Sequence, residues 1–161
     1  MTIMESSPDA ANPAEAVVTA VERSLTLART WLAWDGRARV SEDGDRIYTP
    51  IKAVRRIGDH LVDHLAEVEA LLAGEPTQPD GWHASLVTFD SDWARFTETD
   101  LAEAEQRLRR LARTFALRYA AAGPAEWDRP RGDAWTLRAI AEHLDSSWYA
   151  EQVGDLSRPV A

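Results

Sequence analysis

Four stretches of this chain repeat apolar residues every three or four positions, a period that commits most of it to amphipathic helices. Val18, Val21, Leu25, Ala28 and Leu32 make one stripe in a helix expected from Pro13 to about Trp34. A second runs from Pro50 to about Leu72, with Val54, Ile57, Leu61, Leu65, Val68 and Leu72 on its apolar face. Thr49 suits its cap, Pro50 its first turn and Gly74 its stop. The third spans about Asp100 to Ala122, with Leu101, Ala104, Leu108, Leu111, Phe115 and Tyr119, and ends at Gly123-Pro124. The fourth opens at Trp135-Thr136, with Thr136 as cap, and runs to about Val153 through Leu137, Ile140, Leu144 and Trp148.

No segment reads as a strand, so the expected class is all-α. Four one-sided stripes must bury one another, which predicts a four-helix bundle. Residues 1–12 are expected to be a flexible tail, and 13–161 a single domain. Asp35 to Thr49 is a polar connection carrying the breakers Asp43-Gly44-Asp45. Gly74 to about Thr97 is longer than a compact domain needs, which points to a lid or binding loop.

Composition excludes several functions. With 27 acidic and 18 basic residues the net charge is −9, unsuited to a nucleic-acid backbone. Lys52 is the single lysine, no apolar run approaches the roughly 20 residues of a membrane span, and the polar start does not read as a signal peptide. These features predict a cytoplasmic protein with no nucleic-acid or membrane partner. The absence of cysteine removes disulfides, thiolate ligands and a cysteine nucleophile.

The second and fourth segments echo each other. Val54-Arg-Arg-Ile-Gly-Asp-His60-Leu61 aligns with Leu137-Arg-Ala-Ile-Ala-Glu-His143-Leu144 at a constant offset of 83 residues. At about 100° per residue, His64 lies about 60° from the Leu61 centre of its stripe, and His60 about 100° to the same side. His143 takes the angle of His60, Ser147 takes that of His64, and Glu151 lies about 20° from the stripe centre. Three neutral imidazoles would suit Zn²⁺, Ni²⁺ or Fe²⁺ with a position left open for substrate. Asp59, Asp63, Glu67 and Glu142 are carboxylates near enough to accept the other ring N–H. The plainer alternative makes His60 and His64 boundary residues on a half-wet flank. It also leaves Glu151 in solvent where the helix frays near Gly154, and makes His83 a loop packing residue.

Trp82 and Trp93 sit in the long loop and are candidates to cover the bundle mouth; the other tryptophans read as packing. Arg107, Arg109, Arg110 and Arg113 read as a solvated face paired with Glu103 and Glu105.

The stretch Trp135-Thr-Leu-Arg-Ala-Ile-Ala-Glu-His143-Leu resembles the fourth-helix signature of the DinB-like superfamily. Tyr48-Thr49-Pro50 through His64 is similar to that superfamily's second helix. The resemblance implies an up-down-down-up four-helix bundle, commonly dimeric, with a divalent metal held by three histidines, here His60, His64 and His143. Related proteins include thiol-dependent transferases and a mycothiol-dependent maleylpyruvate isomerase. Members usually carry one histidine on helix two and a His-x-x-x-His pair on helix four; here the count of three is kept and the distribution reversed. The expected function is a metal-dependent transferase or hydrolase acting on a small molecule, with any thiol supplied as a low-molecular-weight cofactor. The alternative is a non-catalytic bundle that binds a small ligand or serves as a homodimeric interaction module.

Overall fold

The ends of the second amphipathic segment carry the clearest helix signals in the chain. The computed structural model, which describes residues 11–79 and 86–158, places helix α2 between them at Pro50–Ala73. Thr49 Oγ1 accepts from the Lys52 N–H at 3.2 Å, satisfying a donor the first turn leaves free. Gly74 closes the helix at φ 70°, a left-handed conformation that glycine adopts without a Cβ clash.

Helix α1 covers Glu15–Ala28 and continues as a 3-10 turn over Arg29–Ala33. A 3-10 turn rotates each residue further than an α-helix does. The buried face therefore passes from Ala28 to Trp31, and Leu32, expected on the stripe, is 37% exposed. Helix α3, Glu98–Ala122, begins in a capping box: Thr97 accepts from Asp100 N–H, and the Asp100 carboxylate accepts from Thr97 N–H. A short α4, Pro124–Trp127, follows Gly123. Its Trp127 donates to the Tyr119 carbonyl at 2.9 Å, and the Tyr119 hydroxyl donates to the Leu137 carbonyl at 2.6 Å. These two bonds tie the end of α3 to the start of the next helix.

The expected fourth helix is two helices. Helix α5 spans Leu137–Leu144, with Thr136 Oγ1 accepting from Ala139 N–H, and α6 spans Trp148–Val153. Between them Ser146 N–H bonds the Leu144 carbonyl at 2.8 Å, and Ser146 Oγ accepts from Trp148 N–H at 3.1 Å. Serine and aspartate side chains compete for backbone partners in this way, which ends helices. The apolar spacing continues through the break, so periodicity alone does not register it.

Strands also occur, against expectation. Arg39–Val40 (β1) and Ile47–Tyr48 (β2) pair antiparallel, Arg39 opposite Tyr48 and Val40 opposite Ile47. The Asp43-Gly44-Asp45 breakers thus turn a short hairpin rather than an irregular loop. The protein remains predominantly helical. Helix α1 packs on α3, α2 on α3 and α6, and both α5 and α6 reach α1. Val21, Leu25, Leu61, Val68, Leu108, Phe115, Ile140 and Leu144 are all buried between these helices. Each contributes about 1.5–3 kcal/mol on leaving water. No described helix is long and apolar enough to cross a membrane.

After α2, the chain from Leu86 leads into a 3-10 turn at Asp90–Trp93. Asp92 is fully buried, and its carboxylate receives Arg55 Nε at 3.1 Å, Arg55 Nη2 at 2.7 Å and the Phe89 N–H at 2.8 Å. This clasp fixes the segment to the first turns of α2. Trp82, His83 and residues 1–10 of the expected tail lie outside the described residues.

Candidate metal centre

His60 and His64 stand one turn apart on α2, and His143 is the penultimate residue of α5. Where these helices cross, the three imidazoles meet. Nε2 of His60 lies 3.0 Å from Nε2 of His143 and 3.1 Å from Nε2 of His64. All three side chains offer a ligand atom within 4.8 Å of the others. Burial follows the angular order read from the helix faces. His64, nearest the stripe centre, is buried, His60 is half-buried and His143 exposed, so the cluster opens to solvent on the His143 side.

The proton count of this cluster is informative. A carboxylate only accepts, and Glu67 Oε2 lies 3.0 Å from His64 Nδ1, so that nitrogen carries the proton. In the neutral ring the Nε2 lone pair of His64 then points toward His60. Each Nε2 has either one proton or one lone pair in its ring plane. His60 Nε2 lies about 3 Å from both of the others and has a single in-plane site, so N–H···N bonds cannot match both contacts. A cation at the centre matches all three lone pairs at once. Nitrogens bound to a tetrahedral ion at 2.0–2.1 Å are roughly 3.3 Å apart, close to the two spacings at His60. The donor set of three imidazoles, with a carboxylate behind one of them, therefore fits a divalent transition metal.

Electrostatics act in the same direction. Burial and the neighbouring His64 hold the His143 pKa below its ordinary 6.5, with Glu67 opposing more weakly. The unprotonated ring, which is the ligating form, thus persists to lower pH.

Of the four carboxylates expected near the histidines, Glu67 reaches an imidazole of the centre. Asp59 instead lies 3.8 Å from Arg55 and 3.7 Å from Arg56. Asp63 and Glu67 line a groove of about 660 Å³ with Val62, Ala66, Pro76 and Pro79. Pro76 and Pro79, just after α2, therefore wall the Asp63–Glu67 flank of that helix.

Ser147 and Glu151 do not join the centre. The break before α6 removes both from the continuous helix face on which they were placed. Ser147 Oγ donates to Glu151 Oε1 at 2.7 Å, and Glu151 is exposed. Trp93 is 46% exposed and has no ring contact with the histidines among the described residues.

Two aromatic residues not anticipated from sequence flank the imidazoles. The Trp135 ring lies parallel to His64 at 6.4 Å and edge-on to His143 at 5.0 Å. Tyr149 stands edge-on to His60 at 5.5 Å, and its hydroxyl accepts from Arg56 Nη2 at 3.2 Å. On an unbroken helix Tyr149 would lie about 120° around from His143; the break delivers it to the site. A serine pair between the two aromatic-bearing turns was the signal for it. Trp135, one residue before the Thr136 cap, offered none beyond its neighbourhood.

Comparison with protein-family models, with curated proteins and with solved structures returns no match.

Proposed function

We propose that this protein is a divalent-metal-dependent enzyme of the DinB-like type, with His60, His64 and His143 as ligands and a small molecule as substrate. The observation that carries the reading is the meeting of three Nε2 atoms, with His64 Nδ1 committed to Glu67. The fold that goes with it is the up-down-down-up four-helix bundle, with α5 and α6 together as the fourth member, assembled as a homodimer. When bound, the metal supplies Lewis acidity, polarising a carbonyl or lowering the pKa of a thiol or water. That chemistry suits a transferase or hydrolase, and a chain without cysteine takes any thiol as a low-molecular-weight cofactor.

The protein's own groups set the rest. Glu67 holds His64 in the ligating tautomer. Trp135 and Tyr149 wall the open side, limiting water and offering ring faces to an apolar or planar substrate. Arg56, hydrogen-bonded to the Tyr149 hydroxyl, fixes that ring beside His60.

Metal analysis of protein purified without a histidine tag tests the reading. About one equivalent of transition metal per chain is expected, natively or after loading with Zn²⁺ or Ni²⁺. His143→Ala should abolish uptake and leave the circular dichroism spectrum of the helices intact, since His143 is not part of the apolar core that holds the fold. A wild-type protein that cannot be loaded would sink the proposal. It would leave the non-catalytic ligand-binding bundle in its place.

A further inference from the structure

The hairpin before α2 carries a second set of polar groups, three of whose buried atoms have no hydrogen-bond partner in the protein. Arg39 lies opposite Tyr48 across β1 and β2. Arg46 lies two residues before Tyr48, so the three side chains leave the same face of the hairpin. That face meets α6. The Tyr48 ring stands edge-on to Trp148 at 5.8 Å, and the Arg46 guanidinium covers the Trp148 ring at 5.8 Å.

Tyr48 is fully buried and its hydroxyl has no hydrogen-bond partner. The Nε atoms of Arg39 and Arg46 are likewise buried without an acceptor. A buried donor left unmatched destabilises a fold, and such groups usually mark a place that a ligand or water completes. Here the three are donors, two of them on cations. The nearby acids are committed elsewhere: Asp43 accepts from Ser41 Oγ and the Asp45 N–H, while Asp92 is held by Arg55 and Asp59 lies between Arg55 and Arg56. The Lys52 ammonium, 4.9 Å from the Tyr48 ring centre, adds positive potential beneath it. In a chain of net charge −9 these buried Nε–H groups have no carboxylate acceptor, although Asp43 lies within electrostatic reach of Arg46.

We propose that this face binds an oxyanion, the carboxylate or phosphate group of a small molecule, with Arg39, Arg46 and Tyr48 as its donors. Guanidinium groups suit such anions because their N–H groups match paired oxygens. The site lies close to the histidines. Tyr149 contacts Tyr48 at 6.1 Å on one side and His60 at 5.5 Å on the other. On the metal-enzyme reading, the anion is therefore the anchoring end of the substrate, held two aromatic rings from the reacting centre. Oxyanion binding itself does not depend on that reading.

The test is thermal unfolding of chelator-treated protein with inorganic phosphate or acetate, at ionic strength matched with sodium chloride. A ligand that binds only the folded state raises the melting temperature in a saturable way. Wild type should show that rise, and whichever anion gives the larger one identifies the source. R39Q/R46Q should lose it. Y48F should weaken the apparent affinity several-fold, with no lower melting temperature in the absence of anion, because the deleted hydroxyl had no partner. Should the double variant fail to fold, Y48F carries the test alone. An equal rise in wild type and variants, or no rise in wild type, overturns the proposal. Because no metal is present, either result leaves the three-histidine reading to be judged by metal analysis.

Discussion

Helix α2 and the α5–α6 pair start from similar sequence, yet one is a continuous 24-residue helix and the other is split into eight and six residues. The aligned turns behave alike. His60 and His143, 83 residues apart, sit before Leu61 and Leu144, both buried, and their rings meet. The difference lies in the turn C-terminal to each histidine. After His60, α2 continues and supplies His64 and Glu67 from its next two turns. After His143 the chain breaks at Ser146 and Ser147, and α6 brings Tyr149 back against His60. One half of the echo thus supplies two of the clustered histidines and a carboxylate, while the other supplies one histidine and an aromatic wall. Continuity builds a rigid pair at i and i+4, whereas a break places side chains that helical periodicity would send elsewhere.

The two halves are also anchored differently, and substitutions can expose this. The largest effect is expected at Asp92, whose carboxylate is buried and holds Arg55 near the start of α2. Removing one partner of a buried ion pair costs about 3–5 kcal/mol. Asp92→Ala should lower the urea midpoint accordingly, and a loss below about 1 kcal/mol, the range of exposed pairs, would remove the claim that α2 is held by a buried clasp.

Next in size is Glu67→Gln. An amide at this position no longer dictates the His64 tautomer, and metal affinity should fall roughly 10–100-fold. Competition with a chromogenic chelator measures this; unchanged affinity would make Glu67 a bystander.

A smaller effect separates His143 from the rest by pH. Its pKa is held below 6.5 in the fold, so the unfolded chain binds more protons than the folded one below that value. Its contribution to stability is therefore complete above about pH 6.5 and is lost as pH falls through the lower folded pKa. Wild-type stability should decline more steeply over this acid window than that of His143→Ala, as seen in denaturation series at several pH values. Parallel profiles would refute it.

The smallest change is expected at the break itself. Arg23 Nη2 meets Asp145 Oδ1 at 2.8 Å, with both side chains nearly half exposed. Such pairs contribute about 0–1 kcal/mol, so Arg23→Ala should shift the urea midpoint little. A loss like that of Asp92→Ala would mean that the two halves are anchored equally.

Much of the helical scaffold was legible because burial of a helix face needs only a repeating apolar side chain. Leu61, Val68, Leu108, Phe115, Ile140 and Leu144 are buried on the faces that their spacing assigns. The Thr49-Pro50 start and the Gly74 stop are local backbone chemistry and were equally readable. The shared flank of His60, His64 and His143 followed from helical angles, since none of the three lies beyond the break. Ser147 and Glu151 do lie beyond it, and the same arithmetic misplaced them. The Arg39–Tyr48 pairing was hidden because two-residue strands leave no period to detect.

The sequence by itself determined most of the apolar faces, where α2 begins and ends, and that three histidines occupy one angular flank of two similar segments. These are properties of neighbours within a few turns, fixed by backbone geometry and side-chain type. Tertiary structure alone decided that the two flanks face each other, that Glu67 rather than Asp59 reaches an imidazole, and that Trp135 and Tyr149 close around the centre. Those outcomes depend on how helices cross and where a chain turns back. Both are set by the packing of residues far apart in sequence, and single-segment periodicity holds no record of it.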